Sequence, residues 1–290
     1  DVVPDRMIRD GALICIVVLL SQVLKWHLDA PLIMMATLAS TTAALILASL
    51  AVRRLHPQEI DGIAPSYDIP IWRKTILPLV AIAATEAMLN RCGVLVLGWV
   101  GLTKEAGIYA LAFSISFLVA LPRTAANTLL APTISDLFVR KQHHALQVLT
   151  ARIALWTLCG AALSALALSV IAEPLLAWFG RAYDAGVPAL HILLLGQVLA
   201  ASCGSQLSIL TMTGCERIAA LLLILSALFN LLLSAALVSQ LGLIGAAISA
   251  TITLVVWNIA MAAFIWRRLG LLPSPIFMLQ SVFRAKGAPA

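Results

Sequence analysis

The sequence has 290 residues, of which 62% are hydrophobic and only 11% are charged, with a mean hydropathy of +1.02 and a net charge of +6. A soluble domain carries about 25% charged residues, so this composition excludes an ordinary water-soluble protein and indicates an integral membrane protein. We also find no glycine-rich phosphate loop, nucleophile elbow or spaced His/Cys/Asp set, so the sequence predicts no active site, no metal and no cofactor.

Apolar runs follow one another along the chain, each close to the roughly 20 residues that cross a hydrocarbon core of about 30 Å. The runs are continuous and rich in Leu and Ala rather than alternating. They therefore predict helices, which satisfy their backbone hydrogen bonds within one segment in lipid. The eight predicted spans are 11–28, 32–52, 75–100, 106–130, 153–172, 187–212, 218–240 and 243–266.

The longest polar interval before the third span predicts the domain organisation. Residues 53–74 combine several prolines with acidic residues, which is typical of a cytoplasmic linker. Residues 1–52 are then expected to be the last two helices of an N-terminal bundle, and 75–268 a complete C-terminal six-helix bundle. Residues 269–290 are expected to form a cytoplasmic tail. Since the chain begins at Asp1 rather than Met, we expect further helices upstream.

The third span contains Glu86, Asn90 and Arg91 near its middle. A charge near the bilayer centre costs about 2.5–3.5 kcal/mol even on lenient insertion scales, so it normally faces a partner or a watery cavity. Glu86 and Asn90 are one helical turn apart, whereas Arg91 lies about 140° round from Glu86, too far for an i, i+4 pair. We therefore expect a wide polar sector that points to the bundle interior.

The fourth span repeats this pattern, with Ser116, Arg123 and Asn127 on one helical face. One interpretation is that Glu86 pairs with an arginine and only joins two helices. The other is a cationic cavity for an anionic substrate, because two intramembrane arginines oppose one glutamate. Arginine suits the second role, since its planar guanidinium stays charged and binds phosphate oxygens in pairs.

Two later segments add weaker signals. Residues 133–150 place apolar side chains at helical spacing opposite basic ones, which predicts an amphipathic helix on the membrane surface. Gln197 in the sixth span is a further cavity candidate, with an interhelical hydrogen bond as the alternative.

Lysine and arginine are concentrated on one side of the predicted spans, which sets the orientation. The positive-inside rule makes that side cytoplasmic, together with both ends of the chain. The net positive charge of the chain then reflects its membrane topology and contact with anionic membrane lipids. No nucleic-acid partner is needed to explain it. The residues on the basic side are Arg6, Arg9, Arg53, Arg54, Arg73, Lys74, Arg140, Lys141, Arg152, Arg217, Arg267, Arg268, Arg284 and Lys286, against Lys25, Lys104 and Arg181 on the other.

Five short segments place glycines and small residues at predicted helix turns and contacts. They are 98–109 (GWVGLTKEAGIY), 178–183 (WFGRAY), 193–197 (LLLGQ), 213–217 (TGCER) and 242–251 (GLIGAAISAT). In this order they resemble motifs of the polysaccharide flippases, which belong to the multidrug/oligosaccharidyl-lipid/polysaccharide exporter superfamily. The resemblance covers residues 72–269.

The resemblance implies a flippase that moves an undecaprenyl-diphosphate-linked oligosaccharide across the bacterial inner membrane for surface polysaccharide or exopolysaccharide synthesis. It implies two six-helix bundles that alternate access around a cationic cavity, with polysaccharide polymerase machinery as a protein partner. Members often place an Asp two residues after the third-span arginine, where this chain has Gly93. The expected substrate-binding residues are Arg91, Arg123, Asn90, Asn127, Ser116 and Gln197, with Glu86 as the candidate for ion coupling.

Two rivals remain open. A multidrug or cation antiporter of the same superfamily would favour an acidic cavity, and the excess of intramembrane arginine argues against it. A membrane-embedded glycan polymerase or ligase would need a large outside loop with catalytic charges, and the longest outside loop, 173–186, is short. The sequence therefore predicts a transporter rather than an enzyme.

Overall fold

The computed structural model of the protein describes residues 30–54 and 68–271. The first predicted span, most of the predicted linker and nearly all of the predicted tail lie outside these residues. Every regular element within the described ranges is helical, so the predicted all-α class is confirmed. The chain divides into two compact units, Asp1–Tyr67 and Asp68–Ala290.

In the first unit the structure describes one helix, α1 (Ala30–Arg54), which coincides with the second predicted span. Its buried positions, Ala36, Ser40 and Ala44, recur every four residues and so form one narrow stripe of small side chains. Small residues at this spacing let another backbone approach closely in lipid.

The second unit contains the remaining described helices. They are α2 (Ile69–Trp99), α3 (Thr103–Ser116), α4 (Leu121–Val139), α5 (His143–Val170), α6 (Ala172–Trp178), α7 (Val187–Ser202), α8 (Gln206–Met212) and α9 (Glu216–Leu269). A 3-10 turn joins α3 to α4, and a second one precedes α7. Among the described residues, five helical stretches are long and apolar enough to cross a membrane, as expected for a multi-pass membrane protein.

The last helix, α9, folds back on itself. Its 54 residues would extend about 80 Å if straight, far beyond a single crossing. Gly242 interrupts it with non-helical angles, φ 54° and ψ −127°. The hydroxyls of Ser234 and Ser249 lie 2.8 Å apart, although 15 residues of straight helix would separate them by about 22 Å. The two arms, 216–241 and 243–269, therefore form an antiparallel hairpin that matches the last two predicted spans.

A carboxylate from another helix fixes the hairpin turn. Oε2 of Glu105, in the first turn of α3, accepts a hydrogen bond of 2.7 Å from the backbone N–H of Leu243. This N–H belongs to the start of the second arm of α9, where unpaired N–H groups and the helix dipole favour a negative charge. Glu105 thus joins the α2–α3 turn to the α9 turn.

Two apolar clusters fill the second unit, one towards each end of its helices. Tyr109, Leu190 and Ala246 belong to the cluster next to the α2–α3 and α9 turns. Ile134 and Leu146 belong to the other cluster, next to the α4–α5 turn and the end of α9. The helices therefore run between two packed ends.

Three local predictions differ from the structure. The predicted surface helix over 133–150 is wrong, because the chain turns at 140–142 between α4 and α5. Ile134 and Leu146 on either side of this turn are buried in the second apolar cluster. The helix α2 begins at Ile69, within the predicted linker, since Pro70 is favourable in a first helical turn. The sixth predicted span is broken between α7 and α8.

Candidate functional site

Glu86 lies on the packed side of α2, near the middle of the predicted third span. Successive residues of a helix are about 100° apart around its axis, so Glu86 lies about 40° from Ile82, which is on the buried face of α2. The Glu86 side chain is half-buried. A carboxylate in this position is partly removed from solvent and lipid without being sealed in the core. It is the only acidic residue within the predicted third span, 75–100.

Arg123 faces Glu86 from α4. Arg123 and Asn127 share the packed face of α4 with the buried Ile134, and both are half-buried. The charges of Glu86 and Arg123 interact, yet the two side chains form no ion pair; the ion pair within the described ranges is Arg140 with Asp136. The helices α2 and α4 share no extensive contact in the described part of the chain. Glu86 and Arg123 therefore lie within range of each other's charge without pairing, and we refer to the region between them as the cleft.

The third side of this cleft is the break between α7 and α8, residues 203–205. Gly204 turns the chain with φ 83°, a conformation that glycine adopts without strain. Arg123 interacts electrostatically with Cys203, and α4 packs against α8. Ser205 and Gln206 follow at once and are buried. Cys203, the residue that interacts with Arg123, is therefore followed at once by two buried polar residues within a predicted membrane span.

The polar residues predicted to form one sector of α2 have different surroundings in the structure. Asn90 and Arg91 are exposed, and Arg91 lies about 180° from Ile82, on the side of α2 that the second unit leaves uncovered. The described residues give Arg91 no hydrogen bond or ion pair. Arg91 and Arg123 thus have different surroundings and do not form one joint site within this unit.

Two other predicted substrate-binding residues, Ser116 and Gln197, make no contact that connects them to the cleft. The Ser116 hydroxyl donates to the Phe113 carbonyl at 2.8 Å, which is a local bond at the end of α3. Gln197 is buried on α7, and its Oε1 has no hydrogen-bond partner among the described residues. Nothing in their contacts joins them to Glu86 or Arg123.

Packing leaves no room for a side chain at Gly93. A Cβ added there would lie 2.5 Å from the ring of Tyr109, a side chain that is itself fully buried. The Asp that the resembled family often places here could not be accommodated without moving that ring. Acidic chemistry in this part of α2 is therefore left to Glu86.

Sequence reasoning missed Ser205, and it favoured an interhelical hydrogen bond for Gln206, whose side-chain nitrogen has no partner among the described residues. The signal for the break was the run Cys-Gly-Ser-Gln at 203–206, which is small and polar inside an otherwise apolar span. The structure also shows no group of three or more His, Cys, Asp or Glu side chains placed to hold a metal within its described residues.

Three solved structures are similar to this chain. The crystal structure of a MATE mutant and that of MATE in the straight conformation both give a TM-score of 0.67 at 15% identity, and each match covers 91% of this chain. The Vibrio cholerae MATE transporter VcmN, in the bent form, gives 0.63 at 17% identity over 89% of this chain. Neither a protein-family model nor a curated protein sequence matches.

These similarities show that the chain has the fold of MATE transporters. The chain spans about three fifths of each of these structures, 60%, 59% and 61%. None of the three is described as an enzyme. At these identities the likeness extends to the fold alone, so the function of the chain has to follow from its own residues.

Proposed function

We propose that this protein is a membrane transporter that works by alternating access, with the cleft between Glu86, Arg123 and the α7–α8 break as its ion-handling centre. The single observation that supports this most is a half-buried carboxylate facing an arginine without an ion pair, inside a fold shared with MATE transporters. Charges within a membrane are expensive, and in transporters they commonly mark ion or substrate pathways.

The transport mode that the cleft supports best is antiport. A cationic cavity would need both Arg91 and Arg123 to lie opposite Glu86. In the structure Glu86 offsets the charge of Arg123, and Arg91 lies on another face of α2. The cleft itself then has no net positive charge that would repel a cation. A cation or proton can therefore exchange at Glu86. Similarity to MATE transporters points the same way.

A lipid-linked oligosaccharide flippase is the second candidate. It is supported by the five ordered sequence motifs and by Arg91, an exposed guanidinium in a membrane-spanning helix with no partner in the described ranges. In this version Arg91 and Arg123 bind the diphosphate of the undecaprenyl carrier. The neighbouring Asn90 and Asn127 contact its head group, and polysaccharide polymerase machinery receives the product.

The proposed setting is a bacterial inner membrane with both chain ends cytoplasmic. We propose that residues 1–52 belong to an N-terminal bundle and that 75–268 form the C-terminal six-helix bundle. Residues 53–74 then connect the bundles, and 269–290 form a tail. Repeat halves that rock about a midplane site would give alternating access.

Two substitutions separate the candidates in proteoliposomes that contain the full-length protein. If the protein is an antiporter, Glu86→Gln abolishes proton- or sodium-driven uptake of a cationic dye, and Arg91→Gln leaves it intact. If it is a flippase, Arg91→Gln abolishes translocation of a fluorescent polyprenyl-diphosphate sugar, and dye uptake is absent. Normal transport of either probe by the Glu86→Gln, Arg91→Gln double variant would refute the proposed site. Arg152→Gln, an exposed arginine on α5, is the control.

A further inference from the structure

Two membrane-spanning stretches of the second unit are broken, and both breaks lie at the boundary between its two apolar clusters. A 3-10 turn, Phe117–Ala120, separates α3 from α4, and residues 203–205 separate α7 from α8. The helices before the breaks pack into the first cluster, next to the α2–α3 and α9 turns, and the helices after them pack into the second. The buried residues that show this are Ala112, Ile115, Leu194 and Ala201 in the first cluster, and Ile134, Ile209 and Leu210 in the second.

The 3-10 turn allows α4 to rotate around its own axis. A 3-10 helix has about 3.0 residues per turn and an α-helix about 3.6, so each residue that changes between the two forms rotates α4 by about 20°. Pro122 prevents one α-helical bond here, because it has no N–H to donate to the Leu118 carbonyl. That carbonyl accepts a hydrogen bond from the N–H of Leu121 instead. Short 3-10 segments inside a helical span often mark a hinge.

The second break leaves two buried polar groups unpaired in the part of the chain that the structure describes. Gly204 turns the chain with φ 83°, and the buried Ser205 and Gln206 follow it. The Ser205 hydroxyl and the Gln206 side-chain nitrogen have no hydrogen-bond partner there. Such groups are unfavourable, so an arrangement that supplied partners would gain free energy. The helix that begins here, α8, packs against α4, so both breaks lead into one pair of packed helices.

The helices before the breaks are fixed to α9. Thr251, on the second arm of α9, donates a hydrogen bond from its hydroxyl to the Ile192 carbonyl of α7 at 3.0 Å. A Cβ added to Gly196, one turn further along α7, would lie 2.9 Å from Thr251, so the two helices are in close contact. Glu105 joins α3 to the same arm through the N–H of Leu243. These contacts make α3, α7 and α9 a fixed base for movement of α4 and α8.

Arg123 lies next to both breaks. It follows Pro122 in the first turn of α4, and it interacts with Cys203 in the other break. Glu86 lies on α2, which is one continuous helix, Ile69–Trp99. Rotation of α4 therefore changes the distance from the Arg123 guanidinium to the Glu86 carboxylate.

We propose that α4 and α8 form a movable pair of helices that turns about the two breaks and brings Arg123 into an ion pair with Glu86. In the structure the two helices are in the open position. Opposite charges attract strongly where little water screens them, which favours closure. A cation bound at Glu86 competes with Arg123 for the carboxylate and keeps the helices open. The movable pair deepens the proposed function, on which it rests, because ion binding at Glu86 then sets the position of two helices.

Spin-label distances in the full-length protein test the movement without any transport. In a variant lacking the five native cysteines, Ile69→Cys and Val139→Cys place labels at exposed positions of α2 and α4. Double electron–electron resonance in nanodiscs should show two distances, one open and one closed. We expect Glu86→Gln to remove the closed distance, because the charge that attracts Arg123 is lost.

A second pair of labels is the control for general disturbance of the protein. Trp99→Cys and Val170→Cys are exposed at the opposite ends of α2 and α5 from the movable helices. These labels should give one distance, which Glu86→Gln leaves unchanged.

Gly204→Ala tests the second break directly. The open position has φ 83° at this residue, which alanine adopts only with strain, so the ratio of open to closed protein should fall about tenfold. Gly101→Ala is the matched control, because Gly101 also has a positive φ, 89°, but lies in the α2–α3 turn. It should leave the ratio unchanged. If Gly204→Ala does not fold, the Glu86→Gln comparison decides.

The movable pair and the proposed function fail separately. A single distance between labels at 69 and 139 that is the same in the wild type and in Glu86→Gln would overturn the movable pair, as would equal ratios in Gly204→Ala and Gly101→Ala. Movement without transport of either probe would refute the proposed function and leave the movable pair intact. Glu86-dependent dye uptake with unchanged distances would do the reverse.

Discussion

At the scale of single residues, the cleft depends on which face of α2 packs against the protein. Because α2 is apolar nearly all round, periodicity alone could not show that Glu86 is turned inwards and Arg91 outwards. The spacing did predict that the two side chains diverge by about 140°. The direction of the packed face comes from Ile82, Val96 and Leu97, which only the tertiary structure shows to be buried.

Gly93→Ala tests the close packing beside Glu86. We expect it to destabilise the protein by about 1–3 kcal/mol, because the new methyl group would overlap the buried Tyr109 ring. Thermal unfolding in detergent measures the change. Gly98→Ala in the same helix is the matched control, since a Cβ there would meet nothing within 4 Å. Equal unfolding midpoints for the two variants would contradict the packing seen at Gly93.

At the scale of elements, the sequence was most informative where long apolar runs end in a strong turn signal. The α9 hairpin follows from two apolar runs separated at Gly242, and the structure shows both arms where they are predicted. The α7–α8 break was missed because the short polar run at 203–206 lies within a long apolar one. The packing of the α4–α5 connection was missed because local pattern shows that a face is apolar, but not whether protein or lipid covers it.

Glu105→Ala tests the cap that links α3 to α9. We expect a loss of about 1–2 kcal/mol in stability, since the Leu243 N–H loses its acceptor and the second arm loses a favourable charge at its start. The control is Glu173→Ala, because Glu173 is also acidic and in a first helical turn but is exposed on α6. Hydrogen exchange at residues 243–246 reports on the arm directly. Unchanged protection there would show that the cap contributes nothing.

At the scale of the whole molecule, charge separates the two ends of the second unit. Arg217, Arg267 and Arg268 are exposed next to the cluster that contains Leu146, whereas Lys104 and Arg181 are at the opposite end, beside acidic neighbours. Both groups of basic residues belong to the second unit. The asymmetry read from the sequence is thus preserved in three dimensions, and it predicts the orientation of the protein in its membrane.

Thiol labelling tests this orientation. In a variant lacking the five native cysteines, Thr103→Cys and His144→Cys place single thiols at opposite ends without altering a lysine or arginine. An impermeant maleimide added to intact cells should label position 103, and position 144 should react only after permeabilisation, because the basic end faces the cytoplasm. The opposite labelling pattern would invert the proposed topology.

The bond between Ser234 and Ser249 also limits how the length of this protein can vary. Adding or deleting one residue in either arm of α9 would rotate everything beyond it by about 100° and turn one serine away from the other. Length changes between Asn230 and Thr253 should therefore be poorly tolerated. In that stretch a single codon gained or lost should be more damaging than most substitutions.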